Sequence, residues 1–515
     1  MPAPNPHLYS SSRTACSPRS FALGAPLCVL VLASCAVGPN FEKPKPDVPA
    51  QWSATALARS ASRSGTVSAG EPPGIDWWTS FRDPMLTSLI ERSAAANLDV
   101  REAVLRVEEA RAERAQAAAA YWPSLSANAG YTRQRLSVNT PNGAIFGLGE
   151  AIPGLPHGIF VNPYNQYQLG LSASWELDLF GSVRRSVEAA SADLQAQVES
   201  AHDVFLSLAA DVADAYIDLR GAQLRKSIVE QSLATERDVL QLTQQRWNAG
   251  LTTDLDVENA ASEVRTTEAE LPPLEREITQ DVNQLSELMG RAPEALRAEL
   301  QLSQPVPPVP PVVPVGLPAD LARRRPDIRR AEASLHAATA RVGVAVASLF
   351  PQLTLNAAGG LQSEGISKLV EVASRFATLT PTLEFPLFDG ARWASVRLQD
   401  VRAKEAGIDY ARTVLQALQE VENALAAYGT DQDRRVSLDA ASEASGNALT
   451  LARQRYQAGV TSFIDVLNAE RTLQQNQLSL AEATTGVSTD LVALYKALGG
   501  GWESPEPARA ASPNG

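Results

Sequence analysis

Two stretches of about 65 residues each, 183–246 and 391–456, contain no proline. Because an α-helix rises 1.5 Å per residue, each stretch would form a helix roughly 100 Å long. The hydrophobic core of an ordinary globular domain is not that thick. These stretches therefore predict long helical hairpins or coiled coils, and every other element has to fit around them.

The two stretches belong to an internal repeat. Residues 246–260 and 455–469 share Arg, Ala, Gly, Thr, Asp, Val, Asn and Ala at matching positions. A length of 515 residues would ordinarily suggest three or four domains. Self-similarity on this scale instead indicates one architecture that is used twice.

Each half has the same predicted order of helix, strand, loop, strand, very long helix, tip and shorter return helix. We expect Pro272 and Pro273 to interrupt the first return helix. The Pro-, Ser- and Ala-rich residues 36–75 are predicted to form an extended tether without a core of its own. The predicted division is an N-terminal leader at 1–34, the tether segment at 35–93, repeat 1 at 94–289 with its tip at 246–257, a Pro-rich linker at 290–327, repeat 2 at 328–498 with its tip at 455–466, and a flexible tail at 499–515.

Four segments alternate apolar and polar residues over nine to twelve positions: 124–133, 166–177, 352–361 and 377–385. This length and pattern fit membrane-spanning β-strands. A soluble, half-buried sheet has the same period, and the strands alone leave that alternative open. Pro381 lies inside the last segment and argues against an unbroken hydrogen-bond ladder there.

Four strands are too few to close a membrane barrel, and lipid does not tolerate open strand edges. If these strands span a membrane, the barrel has to be shared between chains. Two chains would supply eight strands, and three chains would supply twelve. The larger barrel leaves room for an aqueous lumen.

The amino terminus resembles the leader of a bacterial lipoprotein. Arg13 and Arg19 precede the uncharged residues 21–34, which are too few to span a membrane. The leader ends with Leu32-Ala-Ser-Cys35, which resembles a lipobox, so we expect cleavage before Cys35 and a covalent lipid on it. Residue 36 is Ala rather than the Asp of inner-membrane lipoproteins, which points to the outer membrane. The alternative is an ordinary secretory signal with a chance cysteine.

Composition argues against several other functions. Lys and Arg number 45 against 58 Asp and Glu, and a net charge of −13 argues against nucleic-acid binding. The three cysteines all lie at or before Cys35, so Cys-based metal sites are not expected. The four His are far apart, and we find no nucleophile elbow or phosphate loop. We therefore expect neither an enzyme nor a metal or cofactor site.

Motifs spread over nearly the whole chain are similar to those of the TolC-like outer-membrane efflux factors. Within that family they resemble the NodT/OprM-type lipoproteins that serve resistance–nodulation–division pumps. Each motif is weak alone, but their order is specific. The motifs are Cys35-Ala-Val-Gly-Pro-Asn40, Trp77-Trp78 with Phe81 and Asp83-Pro84, Trp175-Glu-Leu-Asp-Leu-Phe-Gly181, Arg324-Arg-Pro-Asp-Ile-Arg329, Phe385-Pro-Leu-Phe-Asp-Gly390 and Leu498-Gly-Gly-Gly-Trp502.

The resemblance implies a mainly α-helical chain with membrane β-strands, which forms a homotrimer in the bacterial outer membrane. Its shared twelve-stranded barrel would continue into an α-helical barrel in the periplasm, with segments 35–93 and 290–327 as a belt. The implied function is the exit duct of a tripartite pump for small molecules such as drugs. The implied partners are a periplasmic membrane-fusion adaptor and an inner-membrane resistance–nodulation–division pump.

In this family the repeated tips dock the adaptor. Gly250 and Gly459 can adopt the left-handed conformation at a helix end. Thr252 or Thr253 is the candidate to cap the first returning helix, and Thr461 or Ser462 the second. Arg246 and Arg455 are the candidates for polar contacts with the adaptor. The alternative for each tip is simple hairpin closure.

The family also narrows its duct near the tips with acidic residues on the final helix. Asp465 matches one such position, whereas Asn468 stands where the second acid is expected. The alternative for Asp465 is stabilisation of the helix dipole in the first turn. Two other functions remain open at this point: an exit duct for a secreted polypeptide, and a lipid-anchored periplasmic coiled-coil scaffold.

Overall fold

The computed structural model describes residues 36–45, 48–53, 66–68, 74, 76–141, 144, 146 and 162–502. The predicted leader, Cys35, most of the loop between the first two predicted strands and residues 503–515 lie outside these ranges. In chain order the elements are β1 (Thr66–Ser68), α1 (Pro84–Ala96), α2 (Leu98–Ala119), β2 (Ser124–Gln134), β3 (Tyr164–Leu177), α3 (Ser182–Asn248), α4 (Asp254–Leu288), α5 (Arg297–Leu300), β4 (Val312–Pro314), α6 (Leu321–Arg324), α7 (Pro326–Ala347), β5 (Gln352–Ser363), β6 (Arg375–Glu384), α8 (Gly390–Gln457) and α9 (Phe463–Ala497).

Long helical hairpins from both repeats confirm the predicted fold class. The long helices α3 and α8 have 67 and 68 residues, and each is followed by a return helix of 35 residues. No helix within the described ranges combines the length and the apolar character needed to cross a membrane.

The strands of the two repeats form one antiparallel sheet in the order β2-β3-β5-β6. Its centre joins the repeats, because β3 of the first half pairs with β5 of the second, with Leu169 opposite Leu361. A Cβ atom at Gly360 would lie 2.3 Å from the carbonyl oxygen of Leu169, so only glycine allows this close approach. Pro381 lies opposite Leu355 in β6, an edge strand, where a missing N–H is tolerated.

The two faces of the sheet differ in chemistry as the sequence alternation predicts. One row across the strands reads Leu125, Ala173, Ala357 and Leu379. The neighbouring polar rows are linked by side-chain hydrogen bonds. These join Ser126 to Ser172 at 2.8 Å, Asn128 to Ser172 at 2.6 Å and Ser174 to Asn356 at 2.9 Å.

Contacts divide the chain into two compact units that both draw on both repeats. Among the described residues, the first unit contains the four-stranded sheet and is drawn from the segments up to Pro39, Ala119–Arg185 and Gly343–Val396. The second is drawn from Asn40–Ala118, Ser186–Val342 and the segment from Arg397 onward, and contains the main hydrophobic core. The sequence repeat is therefore not a boundary between independently folded halves.

Pro272 and Pro273 do not interrupt the first return helix, so that prediction was wrong. Helix α4 runs through both prolines. Contacts with α3 support the helix on the C-terminal side of the prolines: Leu274 is buried, and Lys226 Nζ lies 3.0 Å from Glu275 Oε1. Packing against a long neighbour thus compensates for the backbone hydrogen bonds that the two prolines cannot donate.

The described part of the predicted tether packs into the main core. Trp52 is 3% exposed and donates its indole N–H to the carbonyl oxygen of Gly316 at 3.0 Å. Trp77, in the adjoining segment, is buried and stacks on Tyr495 with ring centroids 5.4 Å apart. The prediction relied on the high content of Pro and Ser. It missed the packing of this segment because a few large aromatic side chains supply most of the buried surface.

The described terminal segments pack on the helices in similar ways. Phe41 stacks on His336 at 4.4 Å, and Trp502 stacks on His202 at 4.5 Å. Trp502 also donates its indole N–H to the carbonyl oxygen of Arg324 at 2.6 Å. The sequence predicted a flexible tail from residue 499, but its first residues up to Trp502 are held by these contacts.

Candidate functional site at the hairpin tips

Both helical hairpins turn through the same backbone motif. In the first tip, Leu251 N–H donates to Arg246 O at 2.8 Å and Gly250 N–H donates to Trp247 O at 2.8 Å. The second tip repeats this pattern, with donors Val460 and Gly459 and acceptors Arg455 and Tyr456 at 2.9 and 3.0 Å. The two glycines have φ of 72° and 74°, the left-handed conformation that ends a helix in this way.

A carboxylate one turn into each return helix holds the turn. Asp256 Oδ2 accepts hydrogen bonds from the Thr252 hydroxyl at 2.6 Å, the Thr253 hydroxyl at 2.9 Å and the Thr253 N–H at 3.2 Å. These bonds stabilise the ionised form and lower the pKa of Asp256. Both candidates for this cap, Thr252 and Thr253, take part in it, and Thr253 is the N-cap residue.

The second tip has the equivalent cap. Asp465 Oδ2 accepts from the Thr461 hydroxyl at 2.5 Å, the Ser462 hydroxyl at 2.7 Å and the Ser462 N–H at 3.1 Å. The hydroxyl hydrogen bonds lower the pKa of Asp465. This geometry fits the alternative reading of Asp465 as a residue of the first helical turn. The role of Asp465 and Asn468 in narrowing a duct stays a prediction; both side chains are exposed.

The two candidate arginines lie in different surroundings. The Arg246 guanidinium is partly buried and lies 4.7 Å from the ring centre of Tyr456, on the other hairpin of the same chain. Tyr456 in turn lies 5.7 Å from Phe463, next to a small apolar cluster with Ala260. Arg455 is exposed. Of the two, Arg455 is thus the one whose side chain is open to a partner.

Each tip also exposes an apolar stripe that sequence reasoning missed. The stripes occupy matching positions of the repeat, and their members are 42% to 68% exposed. A signal was available in the sequence, since apolar residues stand at the same places of both turns, where solvent favours polar residues. The stripes consist of Leu242, Leu251 and Leu255 in the first hairpin and Leu451, Val460 and Ile464 in the second.

No group of three or more His, Cys, Asp or Glu side chains that could hold a metal ion occurs in the described ranges. The carboxylates of Asp256 and Asp465 instead accept the hydrogen bonds that cap the two return helices.

Replacing Asp256 or Asp465 with Ala is expected to loosen its own tip. The loss of the cap should increase amide hydrogen exchange in the first turn of α4 or α9 several-fold at neutral pH. Hydrogen exchange followed by mass spectrometry would measure this, with Asp254→Ala, an exposed first-turn residue outside the cap, as the control. Equal protection in the variants and the parent would contradict the assignment.

The same caps have a defined pH dependence. Because the pKa values of Asp256 and Asp465 are lowered, the stabilisation is complete above the ordinary carboxyl pKa of 3.8. It is lost as the pH falls through the lowered values. Tip protection should therefore not change between pH 5 and 8 on account of these two residues.

Comparison with known proteins identifies the family. The profile described as "Outer membrane efflux protein" matches residues 89–291 and 317–500. Nodulation protein T of Rhizobium leguminosarum bv. trifolii is 31% identical over 93% of this chain and 97% of its own length. The outer membrane protein TtgF of a toluene efflux pump of Pseudomonas putida is 32% identical over 92% of this chain and 96% of its own.

Solved structures agree with the sequence comparison. The outer-membrane channel OprN is 36% identical, with a TM-score of 0.80, and the match covers 91% of this chain and all of that one. The predicted family and the predicted outer-membrane location are confirmed. The family is one of efflux channels rather than a class of enzymes. The chain therefore belongs to the outer membrane efflux protein family and is an outer-membrane efflux component.

Proposed function

We propose that this protein is the exit duct of a tripartite efflux pump and acts as a homotrimer. It would pass small molecules from a periplasmic adaptor and an inner-membrane resistance–nodulation–division pump to the outside. The observation that supports docking to the adaptor is the exposed apolar stripe that occurs at each of the two tips.

The open edges of the sheet support the trimer. Within the described chain, β2 and β6 each have one partner, and most of their residues are exposed. In lipid, the free N–H and C=O groups of both edges have to be paired. Pairing β6 of one chain with β2 of the next satisfies both edges, and three chains give twelve strands around an aqueous lumen.

The tips support a helical partner. Leu251 and Val460 are 68% and 66% exposed and lie at the ends of rigid, capped hairpins. An exposed apolar stripe flanked by polar groups is typical of surfaces that bind an amphipathic helix. Because each chain has two such stripes, a trimer would offer six of them. We infer that helical hairpins of the adaptor bind there, with Arg455 beside them.

The residues that follow Cys35 pack against the end of β3, which supports a lipid anchor near that end of the sheet. Val37 N–H donates to the carbonyl oxygen of Phe180 at 3.1 Å, just after β3 ends. A Cβ atom at Gly181 would lie 2.8 Å from Ala36 Cα, so this residue is in close contact with the junction between β3 and α3. A lipid on Cys35 would thus enter the membrane beside the ends of the strands.

The cargo is proposed as small and largely apolar. The relative from Pseudomonas putida is a component of a toluene efflux pump. A polypeptide exit duct of the same fold remains the second candidate, but no feature of the described residues favours it.

The trimeric duct is expected to conduct ions. The purified protein should have the mass of three chains in detergent and should show discrete conductance steps in a planar bilayer. A monomer without conductance would contradict the duct and favour the lipid-anchored scaffold.

Introducing a charge into both apolar stripes should prevent docking. The double substitution Leu251→Asp and Val460→Asp is expected to abolish crosslinking to the adaptor and to lower efflux of a dye or toluene at least tenfold, because carboxylates would be desolvated in the interface. Leu302→Asp is the matched control, since Leu302 is also 68% exposed but lies outside the tips. Normal crosslinking in the double variant would exclude the stripes as the docking surface.

Cys35→Ser should leave the precursor uncleaved or mislocalised, because the acyl acceptor is lost. Immunoblots of outer-membrane fractions, with and without globomycin, measure processing and location. Globomycin-sensitive processing that persists unchanged in the variant would show that Cys35 is not the lipidation site.

A further inference from the structure

A polar cluster with buried glutamates and partly exposed arginines joins the two hairpins above the tips. Arg471 of α9 donates from Nε to Glu263 Oε1 of α4 at 2.8 Å, and Gln474 Nε2 donates to Glu270 Oε2 at 3.0 Å. Each contact links the return helix of one repeat to that of the other. We name the set Glu236, Glu263, Thr267, Glu270, Arg453, Glu470, Arg471 and Gln474 the inter-hairpin cluster.

The long helices are tied into the same cluster. Thr267 donates its hydroxyl to Glu236 Oε1 at 2.9 Å, which connects α4 with α3. Arg453 Nη2 donates to Glu470 Oε1 at 2.9 Å, which connects α8 with α9. All four helices of the two hairpins therefore contribute to this cluster, whose α3 member Glu236 lies about 12 residues, or roughly 18 Å, before the end of that helix.

Negative charge exceeds positive charge within the cluster. Glu236, Glu263 and Glu470 are 3%, 6% and 5% exposed, and Glu270 lies beside them. Only two guanidinium groups, those of Arg453 and Arg471, face these four carboxyls from the packed helices. The other nearby charges point outward, since Arg237 and Arg265 both pair with Glu268 at 2.7 Å on the surface.

Two carboxyl oxygens of the cluster lack a hydrogen bond. The Oε2 atoms of Glu236 and Glu470 are buried and have no partner among the described residues. Leaving an ionised oxygen in this state is costly, whereas a protonated carboxyl is tolerated. Burial, together with the neighbouring Glu470, Glu263 and Glu270, raises the pKa of Glu236 to about 7. Burial also raises the pKa of Glu470.

The cluster lies directly above the contacts that hold the tips together. Ala260, Phe463 and Leu467 form the small apolar cluster below it, and Arg246 stacks on Tyr456 across the hairpins. Because these contacts are few, the packing of one tip against the other depends strongly on the inter-hairpin cluster.

We propose that Glu236 is a positioning residue for the tips: its protonated carboxyl keeps the two hairpins of one chain packed together, and its ionisation loosens that packing. The consequence for adaptor docking rests on the proposed function. The positioning itself does not, because it concerns contacts inside a single chain.

The direction of the pH dependence follows from the raised pKa. A carboxyl whose pKa is higher in the packed state contributes its full stabilisation below its ordinary value of 4.5. That contribution is lost as the pH rises through about 7. The hairpins should therefore be packed at pH 5 and looser at pH 8.5.

Pulsed electron paramagnetic resonance can measure the distance between the two tips. Spin labels on Ala249→Cys and Ala458→Cys occupy matching exposed positions in the two turns, and no native cysteine follows Cys35. Assembly with an excess of unlabelled chains restricts the signal to pairs within one chain. The readout requires neither adaptor nor transport, so it stays valid if the proposed function fails.

The parent protein should show several-fold more of a longer distance at pH 8.5 than at pH 5, with a midpoint near 7. Glu236→Gln, which mimics the protonated carboxyl, should keep the short distance at every pH. Asp238→Asn removes an exposed charge from the same helix and should respond like the parent. A parent without pH response, or a Gln variant with the parent's response, would overturn the proposal.

Two further measurements keep the test decisive. If Glu236→Gln fails to assemble, Glu470→Gln removes one neighbouring negative charge and should shift the midpoint to lower pH; an unchanged midpoint would overturn the proposal. Adding Mg²⁺ at pH 8.5 should leave the longer distance unchanged. Recovery of the short distance would show that a cation, rather than a proton, neutralises the cluster.

Discussion

The pairing of β3 with β5 is the contact on which the rest of the structure depends. It joins the two repeats at the centre of one sheet, with eleven residue pairs from Tyr167 to Leu177. Because the centre is closed, β2 and β6 are left as the two edges, and further backbone pairing has to come from other chains. Each repeat also supplies one long helical hairpin, so every chain contains two.

The tips combine rigid backbone with apolar surface. The turns are fixed by left-handed glycines and by the carboxylate caps of Asp256 and Asp465, so little order has to be gained on binding. Leu251 and Val460 donate their N–H groups within the turns, while their apolar side chains are exposed. Polar residues of the tips thus mainly determine shape, while the apolar stripes provide the surface that gains most from being covered.

The sequence predicted the regular elements closely because their periodicities persist over many residues. Helix α3 begins at Ser182, one residue before its predicted start. Strand β6 begins at Arg375, two residues before its predicted start. Local composition was less reliable where tertiary packing decides. Pro272 continues a helix supported by Lys226, and Trp52 draws a Pro-rich segment into the core. The inter-hairpin cluster has no local signature, since its members come from four different helices.

The cost of the inter-hairpin cluster explains its position. Replacing buried ion pairs with apolar residues is often neutral or stabilising, so charge is a poor way to make a contact stronger. Charge is a good way to fix one register and to make the contact respond to its environment. In the main core the repeats pack through the buried side chains of Tyr216, Leu285 and Leu491. Apolar packing of this kind suits a permanent contact. Near the tips, the buried carboxyl groups of Glu236 and Glu470 interrupt the apolar packing between the hairpins. The packing of the hairpins can therefore change there without unfolding the main core.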